Sequence, residues 1–140
     1  MTTSLNPYLS ILDGKAREAF EFYQSAFGGE LKVTTFGESG MAGSPAADQV
    51  MHAQLTTATG DTLMGCDEVP GMMPPRTRGD SVQASFSSQG EEDGARGRDA
   101  YAKLSEGATV VVPLEKQMWG DEYAQLVDRY GIVWHFNIGA

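Results

Sequence analysis

The sequence predicts an α+β fold of two tandem βαβββ modules, and three observations carry that prediction. Alternating and helical apolar patterns succeed one another in the order strand, helix, strand, strand, strand, and the order then runs a second time. Short stretches of near-identical sequence recur at matching places in the two runs. The chain has 140 residues, an ordinary length for one domain, and 17 glycines, which suits many tight turns between short elements. The expected organisation is a single domain over 1–140, with module one at 1–68, a linker at 69–80 and module two at 81–140.

Module one opens with an alternating strand at 8–12 that stops at Asp13-Gly14. Asp13 is placed to cap the helix that follows, whose apolar face is Ala16, Ala19, Phe20, Tyr23 and Phe27 at spacings of three and four. Gly28-Gly29 supplies the left-handed conformation that ends a helix. A strand at 31–36 leads into a loop at 38–48 that carries Pro45. Strands at 50–57 and 62–66 are joined by the turn Ala58-Thr59-Gly60-Asp61.

The stretch 67–80 holds three prolines, including Pro74-Pro75, and reads as a connection between modules. Module two repeats the order: a strand at 82–86, an acidic loop, a helix ending at Leu104 with Gly107 beyond, and strands at 109–114, 123–127 and 132–137, the last two flanking a turn at 128–131. Arg17-Glu18-Ala19-Phe20 corresponds to Arg98-Asp99-Ala100-Tyr101, while Ala53-Gln54-Leu55 returns as Ala124-Gln125-Leu126 and Gly60 as Gly131. A period near half the chain length indicates duplication rather than a solenoid.

Charge and composition exclude several functions. The formal charge is −9, from 19 acidic and 10 basic residues, so the chain repels phosphate backbones and nucleic acid is not an expected partner. The densest apolar patch, Val110-Val111-Val112, falls far short of the ~20 residues of a membrane span, so no membrane partner is expected. Cys66 is the single cysteine and reads as a small buried hydrophobe, because Asp67 and Glu68 disfavour a reactive thiolate there. A lone cysteine and no leader-like segment lead to the expectation of a cytoplasmic protein.

Strand alternation assigns faces. Leu9, Ile11, Ala53, Leu55, Val82, Ala84, Phe86, Trp134 and Phe136 are expected in the core. The opposite parity gives Tyr8, Ser10, His52, Gln54, Thr56, Met64, Gln83, Ser85, Tyr123, Gln125, Val133, His135 and Asn137. That second set is polar and aromatic with few formal charges, as the lining of a ligand cavity would be.

Several stretches resemble the vicinal oxygen chelate superfamily of glyoxalases, bleomycin-resistance proteins and extradiol dioxygenases, and within it the PhnB-like branch. They are Asn6-Pro7-Tyr8-Leu9, Ala19-Phe20-Glu21-Phe22-Tyr23 through Phe27-Gly28-Gly29, Val50-Met51-His52-Ala53, Gln117-Met118-Trp119-Gly120-Asp121, and Asp128-Arg129-Tyr130-Gly131-Ile132-Val133-Trp134. The resemblance implies a curved mixed sheet whose concave face lines a cavity. Relatives are often labelled ubiquinone-pathway methyltransferases, but no glycine-rich nucleotide loop follows a strand here, so that activity is not expected.

Metal-dependent relatives hold one divalent ion with His and Glu on the first and last strands of each module. Carried over by motif, those positions fall on Tyr8, Met64, a place near Gln83, and His135, with His52 on the same face. One good ligand in four is a degraded site. The expected function is therefore that of a homodimeric small-molecule-binding protein with no cofactor. Its ligand, unknown and partly aromatic, would meet Tyr8, His52, Gln54, Gln83, Trp119, Tyr123 and His135. Trp119 has a second reading, as a core residue beside the sheet edge. The alternative function is a divalent-metal-dependent lyase, isomerase or transferase using His135 and His52, with Glu18, Asp121 and Glu122 as the available carboxylates. A purely interaction role for the acidic surface is the third possibility.

Overall fold

The structure, a computed structural model, describes residues 3–140, which separate into two compact units, one running to Thr77 and the other Arg78–Ala140. Each unit holds one βαβββ module with a four-stranded mixed sheet, so the fold is α+β with two tandem modules, as the periodicity predicts. No helix among the described residues is long and apolar enough to cross a membrane.

In the first unit β1 is Tyr8–Ile11, α1 is Ala16–Phe27, β2 is Glu30–Thr35, β3 is Val50–Thr56 and β4 is Thr62–Asp67. The sheet order is β1-β4-β3-β2, with β1 parallel to β4 and the other pairs antiparallel. The amphipathic face expected of α1 is the face that is buried: Ala16, Ala19, Phe20 and Tyr23 join Leu9, Ile11, Ala53, Leu55 and Leu63 in the core. The helix lies close because Gly65 presents no side chain; a Cβ there would stand 2.8 Å from the Phe20 ring. Hence Tyr8, Ser10, His52, Gln54 and Met64, of opposite parity, lie on the face turned away from α1.

Asp13 does not cap α1. It sits at φ 64°, in the left-handed region, and no side chain bonds the helix start from the N-cap position. The acceptor comes instead from the far end of β4. Asp67, only 1% exposed, takes the Ala16 N–H on Oδ1 at 2.8 Å and the Val50 N–H on Oδ2 at 2.8 Å. A buried carboxylate facing a helix N-terminus also meets the positive end of the helix dipole. The connection beyond β4 packs on this same unit. Val69 is buried with Phe36 and Ala46, and Met73 lies against them.

In the second unit β5 is Ala84–Gln89, α2 is Glu91–Leu104, β6 is Thr109–Lys116, β7 is Glu122–Val127 and β8 is Val133–Gly139, in the sheet order β5-β8-β7-β6. The expected strand at 82–86 starts late, because its ladder with β8 begins only at Ala84 opposite Trp134. Val82, expected in the core, lies before that ladder and is 91% exposed. Phe86 is half-buried, its ring centroid 6.1 Å from that of Phe136. Val133, expected on the open face, is buried where it closes the β7–β8 hairpin opposite Val127. Asp128 organises the turn there, accepting the Tyr130 and Ile132 N–H groups and the Trp134 indole N–H.

Asp67→Ala leaves two buried amides without an acceptor and should lower stability by about 3–5 kcal/mol. Asp67→Asn, which keeps one carbonyl acceptor, should lose roughly half of that. Equilibrium urea unfolding followed by circular dichroism measures both; a loss below about 1 kcal/mol for the alanine variant contradicts the assignment.

Candidate functional site

On the open face of the first unit, strand pairing sets Tyr8 opposite Met64 on β4, and Met64 opposite Gln54 on β3, with His52 two residues before Gln54. The Tyr8 hydroxyl lies 3.3 Å from His52 Nδ1, and the two rings are tilted at 5.8 Å. His52 Nε2 lies 3.4 Å from Gln54 Oε1. Burial pushes the Tyr8 phenol up to about 12, and the neighbouring Cys66 thiol adds to the effect, so Tyr8 stays protonated and can donate. Burial likewise raises Cys66, with Asp67 and Glu68 adding to it and the Tyr8 hydrogen bond and Arg76 opposing. A buried thiol held protonated is a weak nucleophile, in keeping with the small-hydrophobe reading.

The second unit assembles the same three residue types from different strands. Tyr123 on β7 brings its hydroxyl to 2.5 Å from Nδ1 of His135 on β8, with the rings 5.8 Å apart. His135 Nε2 meets Oε1 of Gln83, which lies just ahead of β5, and Tyr123 also reaches Gln125 Oε1 at 3.4 Å. Matching registers (Gln54 opposite Met64, Gln125 opposite His135) show that Tyr123 occupies the place of His52, and His135 the place of Met64. The parallel pairs Tyr8 with Met64 and Ser85 with His135 put Ser85, not Gln83, at the first-strand position. Gln83 enters from the preceding connection.

Trp119 is not a core residue. The turn from β6 to β7 closes through Gln117 N–H to Asp121 O at 2.8 Å and Gly120 N–H to Gln117 O at 3.0 Å, with Gly120 at φ 102°. That turn lifts Met118 and Trp119 to its tip, 99% and 59% exposed. The Trp119 ring meets Tyr123 edge-on at 6.2 Å.

The hydrogen bonds fix what each histidine can do. A glutamine carbonyl oxygen only accepts, so Nε2 of each ring donates to it, while Nδ1 faces a tyrosine hydroxyl, which in the second unit also donates to Gln125 Oε1. Both nitrogens of His52 and of His135 are thus engaged. The positions that bind metal in relatives hold a phenol kept neutral, a thioether, the Ser85 hydroxyl beside the Gln83 amide, and this committed imidazole, a donor set that does not fit a divalent ion. Among the described residues no group of three or more His, Cys, Asp or Glu could hold a metal. Of the carboxylates that the sequence offered, Glu122 pairs with Arg98 at 2.6 Å and Glu18 lies in the first turn of α1, while Asp121 accepts at 3.0 Å from Asn137, which stands opposite Tyr123 on the open face.

Two residues near Tyr8 escaped the sequence reading. Cys66 borders it, and Arg76, within the proline-rich connection, reaches Ser10 on β1. The available signal was two arginines, Arg76 and Arg78, directly after Pro74-Pro75 in a chain with 10 basic residues in all.

With the geometry described, comparison with known proteins places the chain. A profile of the glyoxalase/bleomycin resistance protein/dioxygenase superfamily matches residues 5–136. Uncharacterized proteins of Mycobacterium bovis and Mycobacterium tuberculosis are 32% identical over 136 residues, covering 94% of this chain and 80% and 71% of theirs. A Pseudomonas aeruginosa protein of known crystal structure superposes with a TM-score of 0.81 at 28% identity, covering 99% of this chain and 98% of its own. A PhnB protein from Bacillus cereus shares the fold, with a TM-score of 0.72 at 23% identity and coverage of 97% and 99%. The chain belongs to the glyoxalase/bleomycin resistance protein/dioxygenase superfamily.

Proposed function

We propose that this chain is a PhnB-like small-molecule-binding protein that works without a metal, as a homodimer, with the polar face of each unit's sheet lining a concave cavity. The observation that carries the reading is the pair of Tyr–His–Gln sets, one per unit, in which both imidazole nitrogens are already bonded. A metal-dependent lyase, isomerase or transferase would need His135 released from Tyr123 and Gln83, and three further ligands that the open faces do not offer. A preorganised set of hydrogen-bond donors and acceptors suits ligand recognition instead. Trp119, exposed beside Tyr123, supports a ligand with a planar aromatic part. The unpaired, buried Cys66 supports a reducing compartment such as the cytoplasm.

The homodimer reading rests on apolar surface that one copy leaves in water. The edge strand β6 exposes Val110 and Val111, and Leu5, Val82 and Met118 are almost fully exposed. Sedimentation at micromolar concentration should give twice the 15.0 kDa of the chain; a species of 15.0 kDa rejects the dimer.

Binding itself is tested by a thermal-shift panel of small planar aromatics carrying hydroxyl or amide groups. A ligand present at 100 times its Kd should stabilise the protein by about 2.7 kcal/mol, visible as a raised Tm. Trp119→Ala should abolish most of that shift for second-unit ligands while hardly changing the unliganded Tm, because the ring is largely in water. A panel that never raises Tm, or a Trp119→Ala protein responding like the parent to every ligand, rejects the reading.

A further inference from the structure

The connection after β4 brings a cation onto the open face of the first unit. Arg76 Nη1 donates to Ser10 Oγ at 2.6 Å, and Nη2 approaches Met73 Sδ at 3.7 Å. Both partners are neutral, and among the described residues no carboxylate pairs with this guanidinium. The nearest bonded acid, Glu68, accepts the backbone N–H of Arg76 at 2.8 Å. In a chain of net charge −9, an arginine held on neutral acceptors is unusual, because acidic partners are plentiful. Ser10 and Tyr8 stand on the same strand and the same face, and Arg76 is close enough to pull both the Tyr8 phenol and the Cys66 thiol towards ionisation. The Tyr8 hydroxyl in turn bonds His52. An exposed guanidinium with unused N–H donors, beside a protonated phenol, matches an oxyanion in charge and in geometry.

We propose that Arg76 is the anion-binding residue of the first unit's ligand surface, taking an oxyanionic head group, carboxylate or phosphoryl, with Tyr8 beside it. The inference rests on the small-molecule-binding reading and names the ligand class for the Tyr8–His52–Gln54 set. Arg76 reaches back from the connection to β1, so the tie that closes the connection over the sheet also positions the charge.

The test is an NMR titration of the full chain with benzoate, phenylphosphonate and, as the neutral control, benzamide. Benzoate, phenylphosphonate or both should bind, shift the Arg76 Nε–Hε signal and weaken with added salt, while benzamide binds at least about tenfold more weakly. Binding of benzoate alone assigns a carboxylate ligand, and of phenylphosphonate alone a phosphoryl ligand. Arg76→Gln should cut anion affinity by about tenfold or more, with benzamide affinity changed less than about twofold, and Arg76→Lys should restore part of the loss. Equal affinity of the unaltered protein for benzamide and the anions overturns the anion site but leaves small-molecule binding standing; this comparison does not depend on any variant folding. Anion affinity within about twofold of the parent in Arg76→Gln also overturns it. If none of the three probes binds, the anion site falls, while small-molecule binding stands or falls with the thermal-shift panel.

Discussion

One buried carboxylate holds the first unit together. Asp67 ends β4, pairs in register with Ile11 at the end of β1, and accepts the first amide of α1 and the first amide of β3. Three elements, β4, α1 and β3, therefore meet at two oxygen atoms with β1 paired alongside, and their relative positions decide where Tyr8, His52 and Gln54 stand. The second unit solves the same problem differently. Ile138 occupies the place of Asp67 and packs on Gly94 and Gly97 of α2, where a Cβ on Gly97 would come within 3.0 Å of it. There the helix start is served by Glu91, Glu92 and Asp93 in its first turn, acids in solvent facing the helix dipole. A buried charge and an exposed cluster thus replace each other between duplicated modules.

The duplication also explains why the two polar sets look alike without being copies. A histidine set between a tyrosine hydroxyl and a glutamine carbonyl needs two neighbouring positions on one sheet face and a glutamine within reach, on a strand in the first unit and ahead of one in the second. The first unit places tyrosine on β1 and histidine on β3; the second places tyrosine on β7 and histidine on β8. Met64 stands where the second unit has His135, so neither unit alone presents two imidazoles.

Most of the fold was legible because period-two and period-3.6 patterns are decided by burial, and the buried faces of α1, β1, β3 and β8 follow them. Misreadings fell where local pattern and tertiary partner disagree. Asp13 has the composition of a cap, but its left-handed backbone points elsewhere and a residue far along the chain takes over. Val82 continues an apolar alternation but has no strand beside it. The site was half legible. Parity put Tyr8, His52, Gln54, Tyr123 and His135 on open faces, yet nothing local shows that a glutamine ahead of β5 closes on His135, or that Arg76 folds back onto Ser10. Such contacts depend on how connections pack, which periodicity does not encode.

Each histidine donates from Nε2 to a glutamine carbonyl oxygen and holds Nδ1 against a tyrosine hydroxyl, so both ring nitrogens are engaged. Long-range proton–nitrogen NMR of the imidazoles reads this directly. His52 and His135 alike should show a protonated Nε2, with signals that do not move when equimolar zinc is added. An unprotonated Nε2 on either ring, or a zinc-dependent shift of His135 at equimolar metal, would contradict it.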